Sequence, residues 1–172
     1  VSISPNFVLR AQRINAAGNK LWGANGVEIV ITQNIFNAVI KPVSGGGAIV
    51  SFVAQIAPAI NLGVFAQRLD ANGVKLWNTG NPVVVCNATG GQLNVRLAVF
   101  PDASSVMTWE DQRTIAGGDG RSNIYDQKLN AAGAIQWTAN GVVVSLAVQD
   151  QIRPQILPIS NAGSNENIIV WE

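Results

Sequence analysis

One segment of this chain recurs three times with small changes. The copies occupy residues 8–22, 64–77 and 124–137, and each contains an alternating stretch, an Asx-x-x-Gly turn and a closing tryptophan. The closing tryptophans are 55 and 60 residues apart: Trp22, Trp77 and Trp137. A period of this length is typical of stacked supersecondary units and not of independent domains. The chain is therefore expected to have one repeated architecture.

The alternation within each copy is that of a β-strand, in which residues two apart share a face. In the second copy Phe65, Gln67 and Leu69 lie on one face, and Val64 and Ala66 on the other. Both faces carry apolar groups, which predicts a sheet that is covered on both sides. An Asx residue followed three positions later by glycine predicts a hairpin turn. The Asx residues are Asn15, Asp70 and Asn130.

A second, looser repeat lies between these hairpins and supplies two further strands. Each complete unit is therefore predicted to have four antiparallel strands, A to D, with equivalent aromatic residues at Phe52, Trp109 and Trp171. The segment that returns from the hairpin, with Leu76-Trp77 as an example, is expected to be extended. Helical periodicity is absent, so the predicted class is all-β. Residues 1–172 form one repeat domain that divides into a half unit 1–33, units 34–91 and 92–150, and a half unit 151–172.

The order of the predicted strands is C-D, A-B-C-D, A-B-C-D, A-B. Such an offset closes the ring of a β-propeller, because the last A-B pairs with the first C-D. Three units are too few for a propeller, so we expect head-to-tail pairing between chains and six blades from two chains. The same pairing without closure would give a filament. A threefold β-prism-like monomer and an open solenoid stack remain alternatives.

Composition excludes several classes of function. Eleven basic and ten acidic residues leave a net charge of +1, which provides no electrostatic footprint for nucleic acid. The chain has no histidine, the commonest general base and metal ligand, so neither an enzyme nor a cofactor is expected. Cys86 is the only cysteine and is predicted to be a small buried residue. No apolar run is long enough to span a membrane, and the start, without Met, suggests a mature or excised product.

The repeated tryptophans have two interpretations. Each indole could be a wedge between adjacent sheets, or it could stack on a sugar ring in an inter-repeat groove, with Asn15, Asp70 or Asn130 beside it. The second interpretation predicts a lectin-like module with several weak carbohydrate sites that gain strength through multivalency. The buried glutamines are expected to fasten neighbouring backbone: Gln12, Gln67 and Gln127.

One dense charge cluster lies near residues 110–121. Its carboxylates stand beside glycine turns, so calcium is a possible ligand, with Asp111 and Asp119 as the candidates. The oxygen spacing matches no fixed calcium register, and a salt-bridged hairpin tip fits the pattern better. Glu110 and Asp111 are adjacent and point to opposite faces of a strand, so they are not expected to form a glycosidase pair.

The segments Trp109-Glu110-Asp111-Gln112-Arg113 and 124–129 resemble motifs of a family of secreted bacterial β-propeller repeats found in surface proteins. The resemblance extends over nearly the whole chain, although Phe52-Val53-Ala54-Gln55 lacks the acidic pattern. It implies a propeller-type fold and a secreted or cell-surface location. Two functions follow as expectations: a non-enzymatic, lectin-like extracellular binding module, or a structural subunit that self-assembles into an extracellular filament or surface layer.

Overall fold

The computed structural model of the chain describes residues 7–55, 61–113, 121–161 and 164–172. Within these residues, twelve strands form four antiparallel sheets. The strands are β1 (Phe7–Ala11), β2 (Val27–Thr32), β3 (Asn34–Val43), β4 (Gly47–Gln55), β5 (Gly63–Leu69), β6 (Val83–Cys86), β7 (Gln92–Val99), β8 (Ser105–Asp111), β9 (Asn123–Leu129), β10 (Val142–Ser145), β11 (Gln155–Asn161) and β12 (Ser164–Val170).

Each sheet follows the order of the chain. We call β1-β2 the first half-sheet, β3-β4-β5-β6 the second sheet, β7-β8-β9-β10 the third sheet, and β11-β12 the last half-sheet. Neighbouring strands in the sequence are neighbours in each sheet, so both complete sheets are meanders. The all-β prediction is confirmed.

The two central strands of each complete sheet are buried on both faces, because another sheet packs on each side. Strands β4, β5, β8 and β9 are buried at nearly every position. One apolar cluster joins the second and third sheets and contains Val53, Trp77, Trp109 and Tyr125. Another cluster, which contains Phe65, joins the first half-sheet to the second sheet. The first strands of consecutive sheets, β3, β7 and β11, lie next to one another.

The predicted returning strand is wrong in one detail. Leu76 and Trp77 lie in the connection between β5 and β6, and a single bridge between Leu69 and Lys75 is the only ladder contact of that hairpin. The backbone N–H of Trp77 donates to the Gln67 side chain (3.0 Å) instead of to a neighbouring strand. A short 3-10 turn, Asn78–Gly80, then leads into β6.

The two half-sheets are not joined to each other within the chain. In the described residues β1 pairs only with β2, and β12 pairs only with β11. In the complete sheets, by contrast, the strands at these two positions pair with each other, as β4 does with β5 and β8 with β9. The described part of a single chain therefore closes neither a propeller ring nor a threefold prism.

Candidate functional site

The first tryptophan of the repeat contacts the turn of the next sheet. Trp22 Nε1 and Arg13 Nη1 both donate to the carbonyl oxygen of Ala71, each at 3.0 Å. Ala71 lies in the Asp70–Gly73 turn, and the Trp22 ring lies directly against Gly73. We call this arrangement, in which a tryptophan and a basic residue hold one turn carbonyl, the turn clasp.

The second copy of the repeat makes the same clasp. Trp77 Nε1 and Arg68 Nη1 donate to the carbonyl of Ala131 at 3.1 and 2.9 Å. The Trp77 ring lies against Gly133, whose φ is +84°, and a Cβ at that position would be 2.6 Å from the ring. Trp77 is only 1% exposed. No face of this indole is open to a sugar, so its geometry is that of a wedge between sheets.

Side chains fix the turn and the loop of each repeat. Gln67 Oε1 accepts from the backbone N–H of Trp77 while its Nε2 donates to the carbonyl of Asn81 at 2.7 Å. Gln12 and Gln127 make the equivalent bond to Trp22 and Trp137. These bonds agree with the prediction that the glutamines fasten backbone. The proposed sugar-binding Asx residues each accept two backbone N–H bonds from their own turn: Asn15, Asp70 and Asn130.

The third copy has the donors of a clasp without a turn to hold. Trp137 is half-buried, and its Nε1 makes no hydrogen bond to any residue that the structure describes. The basic residue at the matching position is Lys128, whose Nζ lies 5.8 Å from the centre of the Phe100 ring. The first turn, by contrast, has no tryptophan packed against it. No atom from elsewhere in the described chain lies within 4 Å of the position that a Cβ of Gly18 would occupy.

Equivalent residues differ sharply in burial between the complete sheets and the half-sheets. Leu69 and Leu129 are 0% exposed, whereas Ile14 at the same repeat position is 54% exposed. Trp109 is 0% exposed, whereas Trp171 at the same position is 40% exposed. The half-sheets therefore present apolar surface that the complete sheets bury against their neighbours.

The interface between the third sheet and the last half-sheet is polar, unlike the other two. Asn165 Nδ2 donates to Asp102 at 2.9 Å, and Asn167 Nδ2 approaches Asp126 at 3.4 Å. Glu110 accepts from the Arg153 backbone N–H at 2.6 Å. Asp126 is 3% exposed, and its Oδ1 has no hydrogen-bond partner among the residues that the structure describes. Burial raises the pKa of the Asp126 carboxyl to about 6.

The calcium candidates are not brought together as a site by the described residues. Asp111 is fully buried, accepts from Trp109 Nε1 at 2.7 Å and pairs with Arg113 at 2.6 Å, so it is a structural anchor. Asp119 lies outside the described residues. In the part of the chain that the structure describes, no group of three or more acidic or cysteine residues is placed to hold a metal ion.

The roles of Arg13 and Arg68, which each donate to a carbonyl in the next turn, were not predicted from the sequence. Their signal was positional, because a basic residue follows the glutamine in all three copies. Comparisons with protein-family models, curated proteins and solved structures found no match to this chain. Among the described residues, no helix is long and apolar enough to cross a membrane.

Proposed function

We propose that this chain is a self-assembling structural subunit, in which the first half-sheet of one copy completes the last half-sheet of another. The observation that carries the proposal is the burial contrast at equivalent positions. Ile14 and Trp171 are exposed where their counterparts in complete sheets are buried. Burying large side chains such as these contributes roughly 1.5–3 kcal/mol each, which favours association.

The repeat itself supplies the docking geometry. In the third sheet Trp109 is opposite Tyr125 across the pair β8-β9, and in the second sheet Phe52 is opposite Phe65 across β4-β5. The same register between β12 and a second copy's β1 puts Trp171 opposite Arg10. It leaves neither strand with a row of unpaired backbone groups, which are otherwise a template for uncontrolled pairing.

That placement also supplies the missing half of the clasp at each end. The turn of the second copy, Asn15–Gly18, would lie beside Trp137 as the Asn130–Gly133 turn lies beside Trp77. Trp137 Nε1 and Lys128 Nζ would then donate to the carbonyl of Ala16. One docking event thus accounts for the free strand edges, the exposed apolar residues and the unused clasp.

A closed pair of chains is the simplest assembly. Each chain supplies two complete sheets and two half-sheets, so two chains would give six sheets, which is within the four to eight blades of β-propellers. The adjacency of β3, β7 and β11 is that of strands lining the axis of such a ring. If the second junction does not close, the same contact extends into a filament. The extracellular location stays a prediction.

Sedimentation velocity over a range of concentrations tests the proposal. We expect a species of twice the 18.1 kDa chain mass, or a concentration-dependent series if the assembly is open. Ile14→Asp should leave a folded monomer, because it places a carboxylate in the buried junction. Val74→Asp is the matched control, since Val74 is equally exposed at 55% and lies outside the junction. A wild-type chain that stays monomeric at its highest soluble concentration would overturn the proposal.

A lectin-like activity is the second candidate, and one groove favours it. A cavity of about 240 Å³ between the first half-sheet and the second sheet is lined by residues that include Gln12, Arg13, Trp22 and Lys41. The equivalent indole of Trp77 is 1% exposed, so the second copy of the repeat offers no such site. Titration with simple sugars should quench part of the tryptophan fluorescence of the wild-type chain and should leave that of Trp22→Phe unchanged. A flat titration in the wild type would exclude this candidate.

A further inference from the structure

We infer that Asp126 and Arg10 of a second copy form a buried ion pair that makes the junction specific for the two ends of this chain. The inference rests on the proposed self-assembly and adds the chemistry by which one end recognises the other. Arg10 lies in β1 and Asp126 in β9, at two positions of the repeat whose counterparts share one buried cluster between consecutive sheets.

The two intrachain junctions show what these positions normally hold. Between the first half-sheet and the second sheet, Ala11 packs against the cluster that contains Phe65. Between the second and third sheets, Ala66 and Tyr125 belong to one buried cluster. The rule at both junctions is an alanine on the earlier sheet and an aromatic residue on the later one.

The junction with a second copy departs from this rule at both positions at once. Asp126 is the counterpart of Ala11 and Ala66 on the earlier sheet, and Arg10 is the counterpart of Phe65 and Tyr125 on the later one. A single change would leave a buried charge alone, which is strongly unfavourable. The two changes together replace an apolar contact by a complementary pair of charges.

Both side chains are in a condition that suits such a pair. The Asp126 carboxylate is buried, one of its oxygens has no hydrogen-bond partner among the described residues, and burial raises its pKa. Arg10 is at the surface, where its Nη2 is 3.2 Å from Glu28 in an ion pair that is nearly half exposed and contributes little. In the completed sheet the Arg10 guanidinium would also lie opposite the Trp171 ring, a favourable cation–π partner.

A double-mutant cycle on the self-association constant tests the pair. Arg10→Gln and Asp126→Asn should each weaken the association of the wild-type chain by at least about tenfold, because the first leaves Asp126 buried without a cation and the second leaves Arg10 at the junction with Glu28 as its remaining partner. The double variant should be no weaker than either single variant, since the cost is shared. Lys75→Gln, which removes one positive charge from the connection between β5 and β6, is the matched control and should leave association unchanged.

A second double variant keeps the test independent of the cost of removing charges. Arg10→Phe with Asp126→Ala installs the residues found at the intrachain junctions, and it should associate at least as tightly as wild type. The ion pair would be overturned if the single variants associated like wild type. It would also be overturned if the double variant lost as large a factor in the self-association constant as the two single losses multiplied together. Either result would leave the self-assembly proposal standing. A monomeric wild type would overturn both. Thermal unfolding of every variant shows that the subunit itself stays folded.

Discussion

Trp77→Ala is the substitution that separates the structural role of the clasp from a ligand-binding role. Removing a fully buried aromatic side chain costs about 3–5 kcal/mol, because the neighbouring groups close the cavity only in part. The lost Nε1 bond adds little, since the Ala131 carbonyl still accepts from Arg68 at 2.9 Å. We therefore expect a loss of about 4 kcal/mol in the free energy of unfolding, a large share of the 5–15 kcal/mol typical of a domain.

Trp137→Ala is the matched control, because Trp137 occupies the same repeat position but has no turn to hold within the described chain. Its removal from the monomer should cost about 1–2 kcal/mol, as expected for a half-buried side chain. Urea denaturation followed by circular dichroism, in dilute solution where the chain is monomeric, measures both values. The reasoning would be refuted if Trp77→Ala and Trp137→Ala had equal effects, or if Trp77→Ala left the unfolding midpoint unchanged.

Four further predictions follow from particular residues. The unfolding free energy of the monomer should fall by about 2 kcal/mol as the pH rises from 4 to 7, because the folded chain binds the Asp126 proton with a pKa of about 6 against 3.8 for the unfolded carboxyl. Urea titrations at several pH values should show this decrease in wild type and not in Asp126→Asn. Gly133→Ala should destabilise the subunit by about 2–4 kcal/mol, since it adds a Cβ against Trp77 at positive φ. Gly18→Ala, with the same φ but open space, should cost only about 1 kcal/mol and yet impair self-association, and thermal melts with sedimentation distinguish the two glycines. Burial raises the pKa of the Cys86 thiol to about 11, so Cys86 should not react with iodoacetamide at pH 8 until the chain unfolds. Mass spectrometry measures the labelling, and labelling of the native chain would contradict this burial.

The repeat made the strand order predictable from sequence. Alternation on Phe65, Gln67 and Leu69 indicated a strand covered on both faces, and β5 is buried at nearly every position. The Asx-x-x-Gly pattern placed the hairpin turns, because an Asx side chain and a glycine at positive φ satisfy that backbone whatever surrounds it.

The remaining features depend on contacts between repeats, which local patterns do not encode. Alternation cannot tell a strand from the loop that carries Trp77, because that loop is held by the Gln67 side chain and not by a ladder. The hydrogen bond from Arg68 could not be predicted for a similar reason, since its acceptor, the carbonyl of Ala131, is 63 residues away. Asp126 stood out only once the sheets were in place, when an alanine position was seen to hold a buried carboxylate.

Cysteine cross-linking can detect directly whether the last half-sheet of one chain pairs with the first half-sheet of another. Thr108 is opposite Asp126 in the third sheet, so the same register places Val170 of one copy opposite Ala11 of another. Ala11→Cys with Val170→Cys should give covalently linked chains under mild oxidation, because opposed strand residues satisfy disulfide geometry. Ala11→Cys with Glu166→Cys, four residues out of register and about 13 Å away along the strand, should not. Equal cross-linking of both pairs, or of neither, would show that the two half-sheets do not pair in this register.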